Sequence, residues 1–207
     1  MVLKLAVLIS GGGSNLKALI DAAKDPKYPA EIVCVGADVD AAGLSFAQAA
    51  GIPHFTIRPR DYANREEWGS AFAAAIQQHG VGGADSETPG LVVSAGLMRI
   101  LPANFVRAFS PHLINTHPAL LPLYPGAHAV RDALAAGGSE TGVTVHIIDE
   151  GVDTGPVLRQ VAVAVHAGDS EDEVHERIKE RERPLLVDTV RAIALGEIDL
   201  PAMHTAH

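Results

Sequence analysis

The chain has 207 residues, 47% of them hydrophobic and only 4% aromatic, which suits one α/β domain with a core of Val, Ile, Leu and Ala. Its formal net charge is −9 at pH 7, and an acidic chain without a basic run is a poor general nucleic-acid binder. The single cysteine, Cys34, excludes a disulfide within the chain and a cysteine-based zinc site.

The first half of the sequence alternates short apolar runs with helical patterns. We predict strands at residues 3–9, 31–36, 54–57, 91–94 and 112–115, and helices at residues 14–23, 41–50, 65–79 and 102–109. Ser14 is placed to cap the first helix, and residues 80–90 form a Gly-rich, mobile loop. Strands that alternate with helices predict an α/β fold with a Rossmann-like, doubly wound parallel sheet.

The second half of the sequence has a different pattern. Residues 142–148 and 156–165 alternate in the way that antiparallel strands do. Ser170 opens a long helix that we expect to continue to about Leu195, and the tail at 196–207 has little pattern. Neither an internal repeat nor a linker divides the chain, so we predict a single domain.

The sequence carries no targeting or membrane signal that we recognise. Residues 1–10 are apolar but too short for a signal peptide, and they run directly into a glycine turn. No apolar stretch approaches the length that spans a membrane. We therefore expect a cytoplasmic protein.

Asn115 and His117 end a short apolar run and are followed by a Pro-rich turn. Residues two apart on a strand share a face, so both side chains point the same way where a buried strand meets solvent. The amide is a neutral donor, and the imidazole titrates near neutrality. This pair suits the stabilisation of an oxyanion and the movement of a proton, as acyl transfer requires.

A glycine turn, Ser10-Gly-Gly-Gly-Ser-Asn-Leu16, lies between the first predicted strand and helix. The backbone N–H groups of Gly13, Ser14 and Asn15 then lie at a helix N-terminus, where phosphate binds readily. The turn is neither a complete dinucleotide fingerprint nor a Walker A loop, so a monophosphate fits better. A glycine turn that binds no ligand is the alternative.

An acidic loop follows the strand predicted at 142–148, and Asp153 stands just before the Gly-Pro that opens the next strand. If this strand lies beside the strand that carries His117, the carboxylate faces the imidazole and favours its charged form. The alternative for Asp153 is ordinary turn chemistry, because Asp before Gly is common in loops.

Ten histidines raise the question of a metal site. The chain has no His-Glu-x-x-His motif, and the spacing of His117, His128 and His146 fits no strong ligand pattern. We therefore predict that the protein binds no metal.

Four motifs together resemble those of a known family. They are Ile9-Ser-Gly-Gly-Gly-Ser-Asn-Leu16, Ala95-Gly-Leu-Met-Arg-Ile-Leu101, Asn115-Thr-His-Pro-Ala-Leu-Leu-Pro122 and Asp153-Thr-Gly-Pro156, and they occur in the family's order and spacing. Over residues 3–195 the chain closely resembles the phosphoribosylglycinamide formyltransferases, which are folate-dependent enzymes of purine synthesis.

The resemblance implies an activity and a division of the chain. The activity is transfer of the formyl group from the co-substrate 10-formyltetrahydrofolate to the amine of glycinamide ribonucleotide, on the route to IMP. One formyltransferase domain at 1–207 would contain a phosphate-binding half at 1–101 and a catalytic and folate-binding half at 102–195, followed by the tail. The implied partners are small molecules, without nucleic acid, membrane or metal, and a homodimer is allowed.

The resemblance also gives individual residues roles. Asn115, His117 and Asp153 fall on the catalytic trio, in which Asn115 and a cationic His117 donate to the oxyanion. The other implied positions are Gly12, Gly13, Ser14, Asn15, Lys179 and Glu182 for the phosphate and ribose; Arg65, Met98, Arg99, Ile100, Leu101, Asp149, Glu150, Gly151, Val152 and Asp153 for the folate; and Thr144 and His146 in support.

The chain departs from the family pattern at a few positions. Gly36-Ala37-Asp38 replaces the Ser-Asn often found after the second strand, which alters an edge of the site near the expected ribose contacts. Leu123 stands where many members carry a polar or aromatic residue. Neither departure touches the trio.

Three other functions remain as alternatives. A formyltetrahydrofolate hydrolase uses the same trio with water as acceptor, but normally carries a regulatory domain before the first strand. A methionyl-tRNA formyltransferase needs a further C-terminal domain for its RNA. A non-catalytic, Rossmann-like nucleotide-binding module would explain the glycine turn, but not the joint presence of Asn115, His117 and Asp153.

Overall fold

The computed structural model describes residues 2–83, 86 and 89–205, and within them seven strands form one mixed sheet. The strand order is β3-β2-β1-β4-β5-β6-β7. The strands are β1 (Leu3–Ile9), β2 (Ala30–Ala37), β3 (His54–Thr56), β4 (Leu91–Ser94), β5 (Leu113–His117), β6 (Glu140–Ile147) and β7 (Val157–Ala164). The strands from β3 to β5 pair in parallel, whereas β6 runs antiparallel to β5, and β7 to β6.

Helices cover both faces of the sheet. They are α1 (Ser14–Ala23), α2 (Leu44–Ala49), α3 (Arg65–Gln78), α4 (Ala103–Phe109), α5 (Ala129–Ala135), α6 (Glu171–Ala194) and α7 (Leu200–Thr205). One core layer joins α1 and α6 to the sheet, and the layer on the other face joins α3 and α4 to it. No helix within the described ranges is both long and apolar enough to cross a membrane.

The burial of β1 on both faces explains why residues 3–9 form a nearly continuous apolar run. Leu5, Val7 and Ile9 pack into the α1 and α6 layer. Ala6 and Leu8 pack into the α3 and α4 layer, and all five side chains are fully buried. A parallel strand that is covered on both faces has no solvent side, so its sequence lacks polar alternation.

The strand order positions the site. The chain leaves β1 towards β2 on one side, and β4 lies on the other side, so the order reverses between β1 and β4. In an open α/β sheet, ligands bind in the crevice at the carboxyl ends of the strands, at such a reversal. The glycine turn after β1 and the Ala95–Leu101 motif after β4 flank this crevice.

Most of the predicted elements are present, and several bounds agree to the residue. The bounds of β1, α1 and β4 match the prediction, and the mixed sheet with an antiparallel C-terminal half is confirmed. The long helix is also confirmed: Ser170 caps α6 through its hydroxyl, which accepts from the N–H of Glu173, while the Glu173 carboxylate accepts from the N–H of Ser170.

Other details of the prediction are wrong. Gly13, not Ser14, is the N-cap of α1, and it makes no side-chain cap bond. The α2 helix begins at Leu44 rather than at residue 41, and the tail predicted to lack pattern contains α7. The helix α5 is not predicted at all. The predicted mobile loop at 80–90 falls partly on residues 84, 85, 87 and 88, which lie outside the described residues.

Candidate active site

The carboxyl end of β5 presents the two polar side chains that the sequence singles out. Both lie on β5 itself, which extends to His117 rather than ending at Asn115. They share a face with Leu113, which packs in the α3 and α4 layer. The antiparallel register sets His146 of β6 opposite Asn115, and Thr144 opposite His117.

Asp153 meets His117 across the loop that follows β6. The Nδ1 atom of His117 lies 3.3 Å from Oδ2 of Asp153. The His117 side chain is 5% exposed and that of Asp153 is 13% exposed, so the pair is largely shielded from solvent. The antiparallel pairing of β5 and β6 therefore produces the juxtaposition that the sequence predicts.

Both ring nitrogens of His117 face acceptors. Nε2 lies 2.8 Å from the carbonyl oxygen of Tyr124, and Nδ1 faces the Asp153 carboxylate. A carbonyl oxygen and a carboxylate accept hydrogen bonds and cannot donate them. Each ring nitrogen of His117 therefore has an acceptor to which a ring N–H can donate.

His146 links Asn115 to Asp153. Its Nδ1 lies 2.9 Å from the carbonyl oxygen of Ile147, which assigns a proton to that nitrogen because the carbonyl only accepts. Its Nε2 lies 3.3 Å from Nδ2 of Asn115 and 3.5 Å from Oδ1 of Asp153. The Asn115 amide carries two N–H groups and at most one of them is directed at Nε2, so at least one remains for a ligand.

The environment of Asp153 holds it in the charged form. Burial by itself raises the pKa of the carboxyl, but a hydrogen bond from His146, the backbone N–H of Gly126 at 2.7 Å and the charges of both histidines outweigh it. The net effect lowers the pKa of Asp153 below its usual range. The carboxylate is therefore ionised across the physiological pH range.

This lowered pKa predicts how stability depends on pH. A carboxyl whose pKa is lower in the folded state stabilises the fold above its unfolded pKa of about 4, and the contribution disappears as the pH falls through the folded pKa. We expect the difference in free energy of unfolding between the wild type and Asp153→Asn to shrink as the pH falls from 6 to 3. Urea titrations of both proteins over this range measure it, and a constant difference would contradict the prediction.

Two residues beside His117 have a left-handed backbone. Tyr124 has φ 53° and Asp153 has φ 55°, and these conformations are uncommon for residues other than glycine. The first aims a carbonyl and the second a carboxylate at the same imidazole. The turn that leads from β5 to Tyr124 is held by buried Thr144, because the Thr144 hydroxyl donates to Ala119 O and accepts from the N–H of Leu121.

The loop that carries Asp153 approaches β6 closely at Gly155. A Cβ at this position would lie 2.0 Å from the carbonyl oxygen of Ile147, which is backbone and cannot rotate away. We expect Gly155→Ala to lower the free energy of unfolding by about 1–3 kcal/mol, as overpacking does, and to reduce kcat because Asp153 shifts. Gly138→Ala is the control, since its Cβ would meet only Glu140 O at 3.6 Å. Equal melting temperatures of the two variants would refute this expectation.

The glycine turn is shaped as a phosphate site would be. Gly13 has φ 71° and precedes α1, and a Cβ there would lie 2.8 Å from Cα of Gly43, so only glycine fits. A Cβ at Gly11 or Gly12 would meet no described atom within 4 Å. The turn is therefore closely packed at Gly13 and open at Gly11 and Gly12.

A buried carboxylate joins the glycine turn to the segment after β4. Asp38, 2% exposed, accepts from Ser10 Oγ at 2.6 Å and from Arg99 Nε at 2.8 Å. Ser10 Oγ in turn accepts from the N–H of Met98 at 2.7 Å. The departure at Gly36-Ala37-Asp38 thus fixes Arg99, one of the residues predicted to bind folate, in an ion pair.

The two segments predicted to bind folate form exposed rims. In the first, Met98 is 81% exposed and Ile100 is 60% exposed, while the Ile100 carbonyl accepts from the guanidinium of Arg65 at 2.7 Å. In the second, the Asp149 carboxylate accepts from Gly151 N–H and the Thr154 hydroxyl, and Glu150 pairs with Arg107 at 2.8 Å. Leu101 is buried, and Val152 is exposed.

The two residues of α6 that are predicted to bind the phosphate and the ribose, Lys179 and Glu182, each contact another protein side chain. The Glu182 carboxylate accepts a hydrogen bond from the hydroxyl of Thr116, a residue of β5. Lys179 Nζ lies 2.6 Å from Oε1 of Glu176. Glu182 is therefore tied to the strand that carries Asn115 and His117, whereas Lys179 must leave Glu176 to reach a phosphate.

Sequence reasoning misses three residues that shape the site. Tyr124 acts through its backbone carbonyl, which any residue type supplies, so the sequence carries no signal for it. Ser10 belongs to the glycine motif, but its partners Asp38 and Met98 come from distant segments. Thr116 lies between the two predicted residues of β5 and faces the other way.

Within the described ranges, we find no cluster of three or more His, Cys, Asp or Glu side chains arranged to hold a metal ion. Asn115, His117 and Asp153 instead form a site of hydrogen-bond donors and one carboxylate. Groups of these types suit acyl transfer, which requires an acid, a base and oxyanion donors.

Comparison with known proteins decides the family. The model of the family described as "Formyl transferase" matches residues 3–190. The chain belongs to the formyl transferase family. The match spans the glycine turn, β5, the Asp153 loop and most of α6, so it includes every segment of the site.

Individual relatives agree with this family. The chain is 49% identical over 191 residues to a phosphoribosylglycinamide formyltransferase of Mycobacterium tuberculosis, covering 92% of this chain and 85% of the relative. It is also 43% identical over 182 residues to the trifunctional purine biosynthetic protein adenosine-3 of Drosophila melanogaster. This match covers 86% of this chain and 13% of the relative. The crystal structure of glycinamide ribonucleotide transformylase 1 from Symbiobacterium toebii matches with a TM-score of 0.88 and 36% identity, over 94% of this chain and 89% of that one.

Proposed function

We propose that this formyl transferase moves the formyl group of 10-formyltetrahydrofolate to the amine of glycinamide ribonucleotide, in purine biosynthesis. Its relatives bear the names of this activity and this pathway. The observation that carries the proposal is the convergence of Asn115, His117 and Asp153 at the carboxyl end of β5. We propose these three as the catalytic residues.

The reaction proceeds by direct transfer. The amine nitrogen attacks the formyl carbon, a new C–N bond forms, and the carbonyl oxygen becomes an oxyanion. Asn115 donates its free N–H to that oxyanion, and the His117 imidazolium lies beside it as a second donor. The bond between the formyl carbon and N10 of the folate then breaks.

Proton transfer completes the step. The attacking amine gains a positive charge and must lose a proton, while the departing folate nitrogen must gain one. The ionised Asp153 carboxylate accepts the proton directly or through one water and returns it to the folate nitrogen. Because Asp153 also faces His117, the same carboxylate stabilises the imidazolium.

Each substrate has its own set of contact residues. The phosphate of glycinamide ribonucleotide binds the N–H groups of Gly12, Gly13, Ser14 and Asn15. On the neighbouring α6, Lys179 reaches the phosphate, and the carboxylate of Glu182 accepts from the ribose hydroxyls. The folate lies between the rims at 98–101 and 149–153, with Arg65 towards its glutamate end. The exposed apolar side chains of Met98, Ile100 and Val152 support this placement.

We also propose that the protein acts in the cytoplasm on small molecules alone. The acidic net charge of −9 opposes general nucleic-acid binding. The residues of the site supply acid, base and oxyanion donors, so the proposed chemistry proceeds without a metal.

One assay tests the proposal against its rivals. The purified protein is incubated with 10-formyltetrahydrofolate, with and without glycinamide ribonucleotide, and consumption of the formyl-folate is followed by absorbance. Consumption that requires glycinamide ribonucleotide is the expected result. Consumption with water alone would identify a hydrolase, and binding without consumption would identify a nucleotide-binding module.

A further inference from the structure

The last three residues of β5 present side chains to both faces of the sheet. Asn115 and His117 point to the face that α3 and α4 cover. Thr116 shares the opposite face with Ile114, which packs in the same layer as Leu186 of α6. One rigid segment of strand therefore touches the proposed reaction centre and the α6 side of the site.

On the α6 side, the hydroxyl of Thr116 donates to Oε1 of Glu182. Thr116 is only 8% exposed, so this hydrogen bond lies in a place with little competition from water. A carboxylate has two oxygens and about four acceptor positions. The bond from Thr116 therefore leaves Glu182 able to accept from ligand hydroxyls.

A glutamate in this position needs a restraint. Its side chain has three rotatable bonds, and ordering such a chain costs about 1.5–2 kcal/mol of rotamer entropy. Lys179, one turn earlier on α6, pairs with Glu176 rather than with Glu182. The Thr116 hydroxyl is thus the contact that ties the carboxylate of Glu182 to β5.

We propose that Thr116 is a positioning residue for glycinamide ribonucleotide. Its hydroxyl fixes the Glu182 carboxylate, which holds the ribose hydroxyls, at a set distance from Asn115 and His117. The inference rests on the proposed function. The amine that attacks the formyl carbon belongs to the same molecule as the ribose, so the orientation of the ribose sets the approach of the amine.

The residue acts through Glu182 and does not touch the reacting atoms. Its loss should therefore weaken binding of one substrate more than it slows the chemistry. A hydrogen bond to a charged group contributes enough that its removal weakens binding roughly tenfold. We expect Thr116→Val to raise the KM for glycinamide ribonucleotide roughly tenfold, with kcat and the KM for formyl-folate changed less than about threefold.

A conservative variant and an altered substrate isolate the hydroxyl. Thr116→Ser keeps the donor, so it should hold the KM for glycinamide ribonucleotide near the wild-type value. With an analogue of glycinamide ribonucleotide that lacks both ribose hydroxyls, Glu182 has nothing to bind. The wild type and Thr116→Val should then have equal KM values, whereas a merely structural role of Thr116 would leave the roughly tenfold gap in place.

A matched control comes from α6. Thr189 is fully buried, and its hydroxyl donates to the Leu185 carbonyl at 2.6 Å. Thr189→Val removes a buried hydroxyl from the same layer, so it should change the melting temperature without changing the KM for either substrate. A rise in KM in this variant equal to that in Thr116→Val would overturn the inference.

Glu182→Ala separates failure of the inference from failure of the proposed function, because it removes both acceptor oxygens. A wild type that transfers no formyl group refutes the proposed function itself. A Glu182→Ala variant with an unchanged KM for glycinamide ribonucleotide refutes the ribose role, and the role of Thr116 with it. If Glu182→Ala raises that KM and Thr116→Val does not, only the inference on Thr116 is wrong.

Discussion

Replacing Asp153 by Asn should lower kcat by about 10²- to 10⁴-fold while changing the KM of either substrate only slightly. This is the range that a positioned acid or base contributes to a reaction. Asn keeps the shape of the side chain, so Gly126 N–H can still donate to its oxygen. The amide, however, accepts no proton from the attacking amine and leaves the His117 imidazolium without its counter-charge.

The pH dependence of this variant adds a second readout. The wild type has an ionised Asp153 across the neutral range, because its pKa is lowered. Its kcat should therefore fall as the pH approaches the lowered pKa from above, whereas the residual kcat of Asp153→Asn should lack that acidic limb. Steady-state kinetics over the range in which the fold is stable measure both curves.

A matched control for Asp153→Asn is Asp169→Asn. Asp169 is also a carboxylate in an ion pair, with Arg177 at 2.8 Å, and this guanidinium lowers the pKa of Asp169 to about 2. It lies before α6 and makes no contact with the trio in the described structure. A loss of kcat in Asp169→Asn as large as in Asp153→Asn would show that the effect reports the loss of any ion pair.

The sequence predicts most of the sheet because buried parallel strands leave a plain signal. The apolar runs of β1 and β4 have no solvent face, so their bounds are read directly. The start of α6 is predictable because Ser170 is a favourable N-cap residue and acidic residues follow it in the first turn. The helix α5 follows His128 without a side-chain cap, so it lacks a start signal such as Pro102 gives to the equally short α4.

The site is only partly predictable, for reasons that differ between residues. The meeting of His117 and Asp153 follows once β5 and β6 are taken as neighbours, because the loop after β6 then returns to the end of β5. The cap at Gly13 depends on its left-handed backbone and its contact with Gly43, which a pattern of residue types does not contain. The bond between Thr116 and Glu182 depends on how α6 lies across the sheet.

Replacing Asn115 by Ala should lower kcat by about 10²- to 10³-fold, or about 3–4 kcal/mol in the barrier, with both KM values nearly unchanged. Removal of one oxyanion donor has this effect in other enzymes of acyl transfer. The charge on the oxygen develops only in the transition state, so the missing hydrogen bond affects the chemistry and not substrate binding. Single-turnover kinetics with both substrates saturating measure the chemical step directly.

Asn104→Ala provides the comparison. The Asn104 amide donates to Glu66 O at 2.8 Å and to Ser70 Oγ at 2.9 Å, so it joins α4 to α3. Its loss should lower the melting temperature and leave the rate of the chemical step within about threefold of the wild type. The Asn115 variant should show the reverse pattern, since its amide contacts His146 and the proposed oxyanion rather than a helix interface. If Asn115→Ala instead loses stability and keeps its rate, the amide is a structural group, and the oxyanion must be stabilised by His117 alone.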